Sequence, residues 1–147
     1  MLITPIIPWD SIWDKLINYA SNCSRSAWPI LAQKMKENNF LERERIFVVI
    51  ENEQIIWFCT FTKEDWIPDC DYTPFVWFAF VDENYRWKRL SEQMIDEVEK
   101  YARTLNFEKL YLVSDHKWLY EKYGFKKCDE KVDELGRTET IFFRKIR

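Results

Sequence analysis

Arg86, Lys88 and Arg89 crowd into the stretch NYRWKRLSEQ, residues 84–93. Guanidinium and ammonium groups at this spacing suit phosphate, because they donate charge-assisted hydrogen bonds to its oxygens. The apolar run Phe75 to Val81 leads into the stretch. Leu90, Met94, Ile95, Val98, Tyr101, Ala102 and Leu105 lead out of it at helical spacing. A strand feeding a helix is a place where an anion can sit, since the helix N-terminus carries about half a positive charge and unpaired amides. Without an anion the same field disfavours side-chain cations by about 0.3–1 kcal/mol each. The stretch is therefore either a phosphate cradle or a charged turn whose side chains point into solvent. Two glycine-rich cradles are excluded: neither GxxxxGK[ST] nor GxGxxG occurs, and Gly124 and Gly136 do not open this helix. That argues against a P-loop nucleotidase and a Rossmann dehydrogenase.

The remaining chemistry-bearing residues are sparse. Cys23, Cys59, Cys70 and Cys128 show no CxxC spacing, and His116 is the single histidine, so no metal is expected. Cys59 lies inside an apolar run and is expected to be a small buried hydrophobe.

The elements that must position these residues follow from periodicity. Residues 3–7 suit a short strand weakened by Pro5 and Pro8. Asp10 or Ser11 can cap a first helix with Ile12, Trp13, Leu16, Ile17 and Ala20 on one side. Ser24 or Ser26 can cap a second, with Pro29 in its first turn and an end near Asn38 and Asn39. RIFVVIE (45–51) and QIIWFCTF (54–61) read as a hairpin, and TPFVWFAFV (73–81) as a central strand covered on both faces. After the helix at 90–105 come a strand KLYLVS (109–114), a short helix over 117–123 ended by Gly124, and paired strands FKKCDEKV and TETIFFRKI. The strand–helix–strand unit predicts a right-handed crossover, with ligands beyond the carboxyl ends of its strands.

The chain has 147 residues, which fits one domain spanning 1–147. Hydrophobic residues make up 47%, which supports a real core, and a net charge of −3 argues against a general nucleic-acid surface. No apolar run approaches the roughly 20 residues that span a membrane. MLITPIIPWD lacks a basic n-region, so a soluble cytoplasmic protein with reduced thiols is expected.

Residues 75–125, with the stretch FVDENYRWKRLSEQMIDEVEKYARTLNFEKLYLVSDHKWLYEKYGF, resemble the GNAT family of N-acetyltransferases. The acetyl-CoA loop of that family typically reads [QR]-x-x-G-x-[GA] after a strand ending V-D-x-x-Y. Arg86 takes the first position, Arg89 stands where glycine is usual, and Ser91 where Gly or Ala is usual. Glycine is dispensable at that position if only its amide is needed, and Ser91 is small enough for close approach. The resemblance implies an α/β fold with a mixed, mostly antiparallel central sheet and helices on both faces. It implies acetyl-CoA as co-substrate, held by amides of residues 86–91 and contacted by Phe80, Val81, Arg86, Trp87, Lys88, Arg89, Leu90 and Ser91.

The implied reaction is acetyl transfer to a primary amine of a small molecule or peptide. A backbone N–H near Phe78 to Phe80 would stabilise the thioester oxygen, and Tyr120 would be the acid for the departing thiolate. His116 is a candidate base, since its ordinary pKa of about 6.5 suits proton transfer. Asp115, Asp69, Asp71 and a water route remain alternatives. Trp57, Trp66, Tyr72 and Trp77 lie in or beside strands that would line the cleft, and Asp65, Asp69 and Asp71 could attract a cationic amine. Arg89 for glycine, with Trp87 beside it, motivates a rival: a catalytically silent binding or regulatory module. An RNA-directed acetyltransferase is a third reading, opposed by the acidic balance. The family often forms homodimers, though no residue here decides that.

Overall fold

The computed structural model describes residues 3–8, 10–21, 28–37, 39–63, 71–81, 90–114, 120–132 and 136–146. In chain order the elements are β1 (Ile3–Ile6), α1 (Ser11–Ser21), α2 (Trp28–Lys36), β2 (Arg45–Glu51), β3 (Gln54–Thr62), β4 (Phe75–Val81), α3 (Leu90–Thr104), β5 (Lys109–Ser114), a 3₁₀ turn (Glu121–Tyr123), β6 (Lys126–Val132) and β7 (Thr138–Lys145). The strands form one seven-stranded sheet in the order β1-β2-β3-β4-β5-β7-β6. The β4–β5 pair is parallel, and the other neighbours run antiparallel. This is the α/β fold with a mixed, mostly antiparallel sheet expected from the sequence.

Helices cover both faces of the sheet, and the strand period decides which side chain meets which helix. Phe58 and Phe61 are three residues apart on β3 and so face opposite ways. The edge of Tyr19 on α1 meets Phe58, with ring centroids 6.2 Å apart. Tyr101 on α3 meets Phe61 at 5.2 Å and Phe47 at 5.8 Å. β3 is buried along its whole length after Gln54, as a strand sandwiched between two helical layers requires. The α1 residues Trp13, Leu16, Ile17 and Ala20 are buried at helical spacing, and the Trp13 indole donates to the Met35 carbonyl of α2 at 3.4 Å. Asp10 stands just before α1, where its carbonyl accepts from Trp13 N–H and its carboxylate from Ile7 N–H.

The proposed second caps, Ser24 and Ser26, lie outside the described residues. The short helix expected at 117–123 is described only as the 3₁₀ turn over its last three residues. Gly124 ends that turn at φ 89°, in the left-handed region, with its N–H donating to the Glu121 carbonyl. That is the terminating role its position suggested. Trp57, a candidate cleft residue, is 1% exposed within the core. It faces the α3 side because it pairs with Val49, two residues along β2 from Phe47. Burial on that covered face removes it from any cleft wall. Among the described residues no helix is long and apolar enough to cross a membrane.

The β2–β3 hairpin closes through Asn52 and Glu53, both at positive φ (52° and 65°), with Glu51 paired to Gln54. Two such residues make the tight turn whose twist matches the strands, and glycine is favoured at its second position. A left-handed conformation costs a non-glycine residue roughly 1–2 kcal/mol, part of which is offset by the extra freedom glycine gives the unfolded chain. Glu53→Gly is expected to raise unfolding stability by up to about 1 kcal/mol, measurable by urea titration. A lower midpoint would show that the Glu53 side chain contributes beyond its backbone conformation, since the carbonyl that accepts from the Lys15 ammonium is kept in the variant.

Candidate active site

The sheet changes character between β4 and β5. These parallel strands are registered at Phe75–Tyr111 and Val76–Leu112, and a further bond runs from Tyr111 N–H to the Pro74 carbonyl. β4 continues to Val81, yet no registered pair with β5 lies beyond Val76. β5 instead stays in register with β7 through Ser114, opposite Thr140. Among the described residues the two strands are therefore registered only at the amino end of β4, and parallel units hold ligands beyond the carboxyl ends of their strands.

The other side of β4 carries a second irregularity at the same level. Phe58 pairs with Phe80 and Thr60 with Trp77. One β3 residue, Cys59, thus opposes two on β4, Phe78 and Ala79, which is a β-bulge. A bulge leaves backbone groups out of the ladder. Among the described residues neither neighbour is registered with Phe78 or Ala79. The span Phe78 to Phe80, singled out in the sequence for a backbone donor, coincides with this bulge. The side chains of residues 77–81 lie outside the description, so Trp77, Phe80 and Val81 are placed by their backbone alone.

Of the other expected site residues, Arg86, Trp87, Lys88, Arg89 and His116 lie outside the described residues, as do Asp65, Trp66, Asp69 and Asp115. Leu90 opens the described part of α3 and its side chain is buried in the core. What Leu90 can offer a ligand is its backbone. Ser91 is half-buried, with its hydroxyl 3.0 Å from the Tyr123 hydroxyl.

Tyr120 stands at the N-cap of the 3₁₀ turn. Its carbonyl accepts from Tyr123 N–H at 3.0 Å and Phe125 N–H at 3.1 Å, so its backbone is locked to the turn. Its half-buried ring packs edge-on against Tyr123 and Phe125, with centroids 6.3 and 6.2 Å away, and lies 6.5 Å from Phe142. Tyr120 and Ser91, chosen separately from the sequence, are thus neighbours through one residue, Tyr123.

Behind this turn lies a group the sequence reading did not select. Arg144 on β7 is 6% exposed. It donates to the Tyr123 carbonyl at 2.8 Å, to Glu99 at 2.8 Å and to Asp96 at 3.0 Å. Its guanidinium also lies 5.2 Å from the Phe125 ring centroid. One signal could have found it: by strand period Arg144 shares a face with the apolar Phe142.

Tyr72, offered as a cleft residue, belongs elsewhere. Its ring stacks on Tyr111 at 4.9 Å and its hydroxyl donates to Asp129 on β6 at 2.9 Å. Tyr111 pairs with Phe75 at the amino end of β4, so this stack is a strut at the far end from the carboxyl end of that strand. The Tyr72 hydroxyl, and after it the Glu130 N–H, hold the Asp129 carboxyl below its usual range. A depressed carboxyl contributes stability above its unfolded value, and the contribution is lost as pH falls through the folded value. Tyr72→Phe is expected to raise the Asp129 pKa toward an ordinary aspartate, read by carboxyl NMR titration. An unmoved pKa would show that the backbone amide alone sets it.

Burial raises the Cys59 thiol far above its usual range, so it remains protonated at neutral pH and is not a nucleophile. Among the described residues no group of histidine, cysteine or carboxylate side chains is arranged to hold a metal. Asp71 is exposed.

Residues 13–125 match the model of the Acetyltransferase (GNAT) family. No curated protein matches by sequence. Among solved structures, an aminoglycoside 6'-N-acetyltransferase from Enterococcus faecium superposes with TM-score 0.78 at 11% identity, covering 100% of this chain and 98% of that one. A spermidine N-acetyltransferase chimera from Vibrio cholerae and hSSAT gives 0.69 at 16% identity, covering 99% and 96%. A GNAT-family acetyltransferase from Elizabethkingia anophelis, solved with acetyl-CoA bound, gives 0.68 at 15% identity, covering 98% and 97%. At these identities the likeness concerns the fold.

Proposed function

Because the chain belongs to the GNAT acetyltransferase family, we propose that it is an acetyl-CoA-dependent N-acetyltransferase acting on a primary amine of a small molecule or peptide. The observation that carries this reading is the bulge at Phe78 and Ala79, set beyond the registered pairs of β4 with β5. A backbone N–H of this bulge, which has no registered pair among the described residues, would be a preorganised donor, and such donors act where charge develops in a transition state. The thioester oxygen of acetyl-CoA would lie against it. Solved structures of similar fold contain coenzyme A or acetyl-CoA, and two of the similar enzymes acetylate aminoglycosides or spermidine by their names. Amine-bearing small molecules are therefore the first acceptors to try.

The chain's own residues take these roles. Arg86, Lys88 and Arg89, with amides of residues 86–91, hold the pyrophosphate. Ser91 lets it approach the helix backbone. Phe80 and Val81 continue β4 beyond the bulge and flank the acyl arm. The neutral amine attacks the thioester carbon, forming the C–N bond as the C–S bond breaks. The Tyr120 phenol gives its proton to the departing thiolate and recovers one from solvent. The proton lost by the amine leaves through His116 or through water.

Calorimetric titration with acetyl-CoA tests the premise. Micromolar binding supports a working cradle at residues 86–91. Absence of binding at millimolar acetyl-CoA would mean that Trp87 and Arg89 close the site, and the rival reading, a silent GNAT-fold binding module, would replace this one.

A further inference from the structure

We infer that Arg144 is a positioning residue for the proposed acid: it ties the turn bearing Tyr120 to α3, so that the acid and the cofactor end of that helix move as one body. The inference rests on the acetyltransferase reading and on Tyr120 as its acid. Three observations carry it. First, the guanidinium bridges elements far apart in sequence. It bonds the Tyr123 carbonyl in the turn and both Asp96 and Glu99 on α3. The carboxylates are three residues apart, so they lie on the same helix face.

Second, the tether spans an open gap, while the apolar side chains of the turn pack on the core beside it. A cleft of about 500 Å³ opens between α3 and the turn, with Asp96, Tyr123 and Arg144 among its walls. Across that gap the Arg144 bonds link the turn directly to α3. Third, the tether acts on the backbone that carries the acid. Tyr123 N–H and Phe125 N–H both end on the Tyr120 carbonyl, so a shift of Tyr123 is transmitted to Tyr120 directly. The hydroxyl contact of Ser91 with Tyr123 closes the same loop from the start of α3.

A buried ion pair is a poor device for stability alone, since apolar replacements often match it. The planar fork of arginine can serve a carbonyl and two carboxylates at once. Lysine keeps the charge but not that geometry, and a misplacement of about 1 Å near a reaction centre can cost up to 10²-fold in rate.

The test is a double-mutant cycle of Arg144→Lys with Tyr120→Phe, read in kcat, KM and acetyl-CoA Kd. Arg144→Lys is expected to lower kcat roughly fivefold, with Kd within about twofold. In the Tyr120→Phe background the same change should cost under about twofold, because the group it positions is gone. Amide exchange at Tyr123, Gly124 and Phe125 should quicken in Arg144→Lys, whatever its activity. Full, additive losses in the two backgrounds would overturn the positioning role while leaving Tyr120 as the acid. An unchanged kcat for Tyr120→Phe alone would instead sink the acid assignment, and this inference with it. Should Arg144→Lys fail to fold, Asp96→Ala serves in its place. It removes the half-exposed leg of the tether and keeps the Glu99 pair, with the same suppression expected in the Tyr120→Phe background.

Discussion

Tyr120→Phe lowers turnover at saturating acetyl-CoA and acceptor by about 10²-fold, the lower end of what a positioned acid contributes, and leaves acetyl-CoA binding within about twofold. The split follows from where the hydroxyl acts. A thiolate exists only as the C–S bond breaks, so its acid stabilises the transition state and not the bound ground state. The described ring and backbone contacts of residue 120 survive the change. The Tyr120 ring makes its aromatic contacts with Tyr123, Phe125 and Phe142 through carbon atoms that phenylalanine retains. The turn bonds to residue 120 use its backbone carbonyl. Stopped-turnover thiol release and calorimetry separate the two quantities. Unchanged turnover would remove Tyr120 from the acid role and leave it as a packing residue of the turn.

Arg89→Glu weakens acetyl-CoA binding by on the order of 10- to 100-fold, from the roughly 1.5–3 kcal/mol of a hydrogen bond to a charged group. The sign comes from the substitution itself. Arg89 stands where the family usually has glycine, so in the proposed cradle it adds a cation beside the amides. Reversing it puts a carboxylate against a pyrophosphate. The loss should shrink as salt is raised, because a solvent-accessible charge pair is screened. A Kd that does not move would make the cluster a charged turn and return Arg89 to solvent.

Much of this architecture is legible in the residues. The hairpin at 45–61, the helix from Leu90 and the strand at 109–114 each carry a period that sheet or helix burial demands, and each formed within a residue or two of expectation. Gly124 was legible because an αL terminator leaves one kind of residue free of strain. What was not legible depends on register. The bulge opposite Cys59 and the register of β4 with β5 come from pairing between strands, and no local pattern in TPFVWFAFV announces them. The aromatic candidates show the same limit. Trp57 and Tyr72 read alike in the sequence, yet one is sealed in the core and the other braces β6 through Asp129. Arg144 was passed over because a cation in a terminal strand ordinarily lies on the wet face. Its partners Asp96 and Glu99 sit more than 40 positions away, beyond the reach of local spacing.

One measurement tests the central claim most directly: purified protein with saturating acetyl-CoA is given a panel of primary amines (polyamines, aminosugars and peptide N-termini), and free thiol and acetylated amine are counted together. The account predicts thiol release that depends on the amine, with one acetylated amine formed per thiol. Acetyl-CoA bound at micromolar concentration, with no amine-dependent thiol release anywhere in the panel, would contradict it and identify a GNAT fold retained for binding alone.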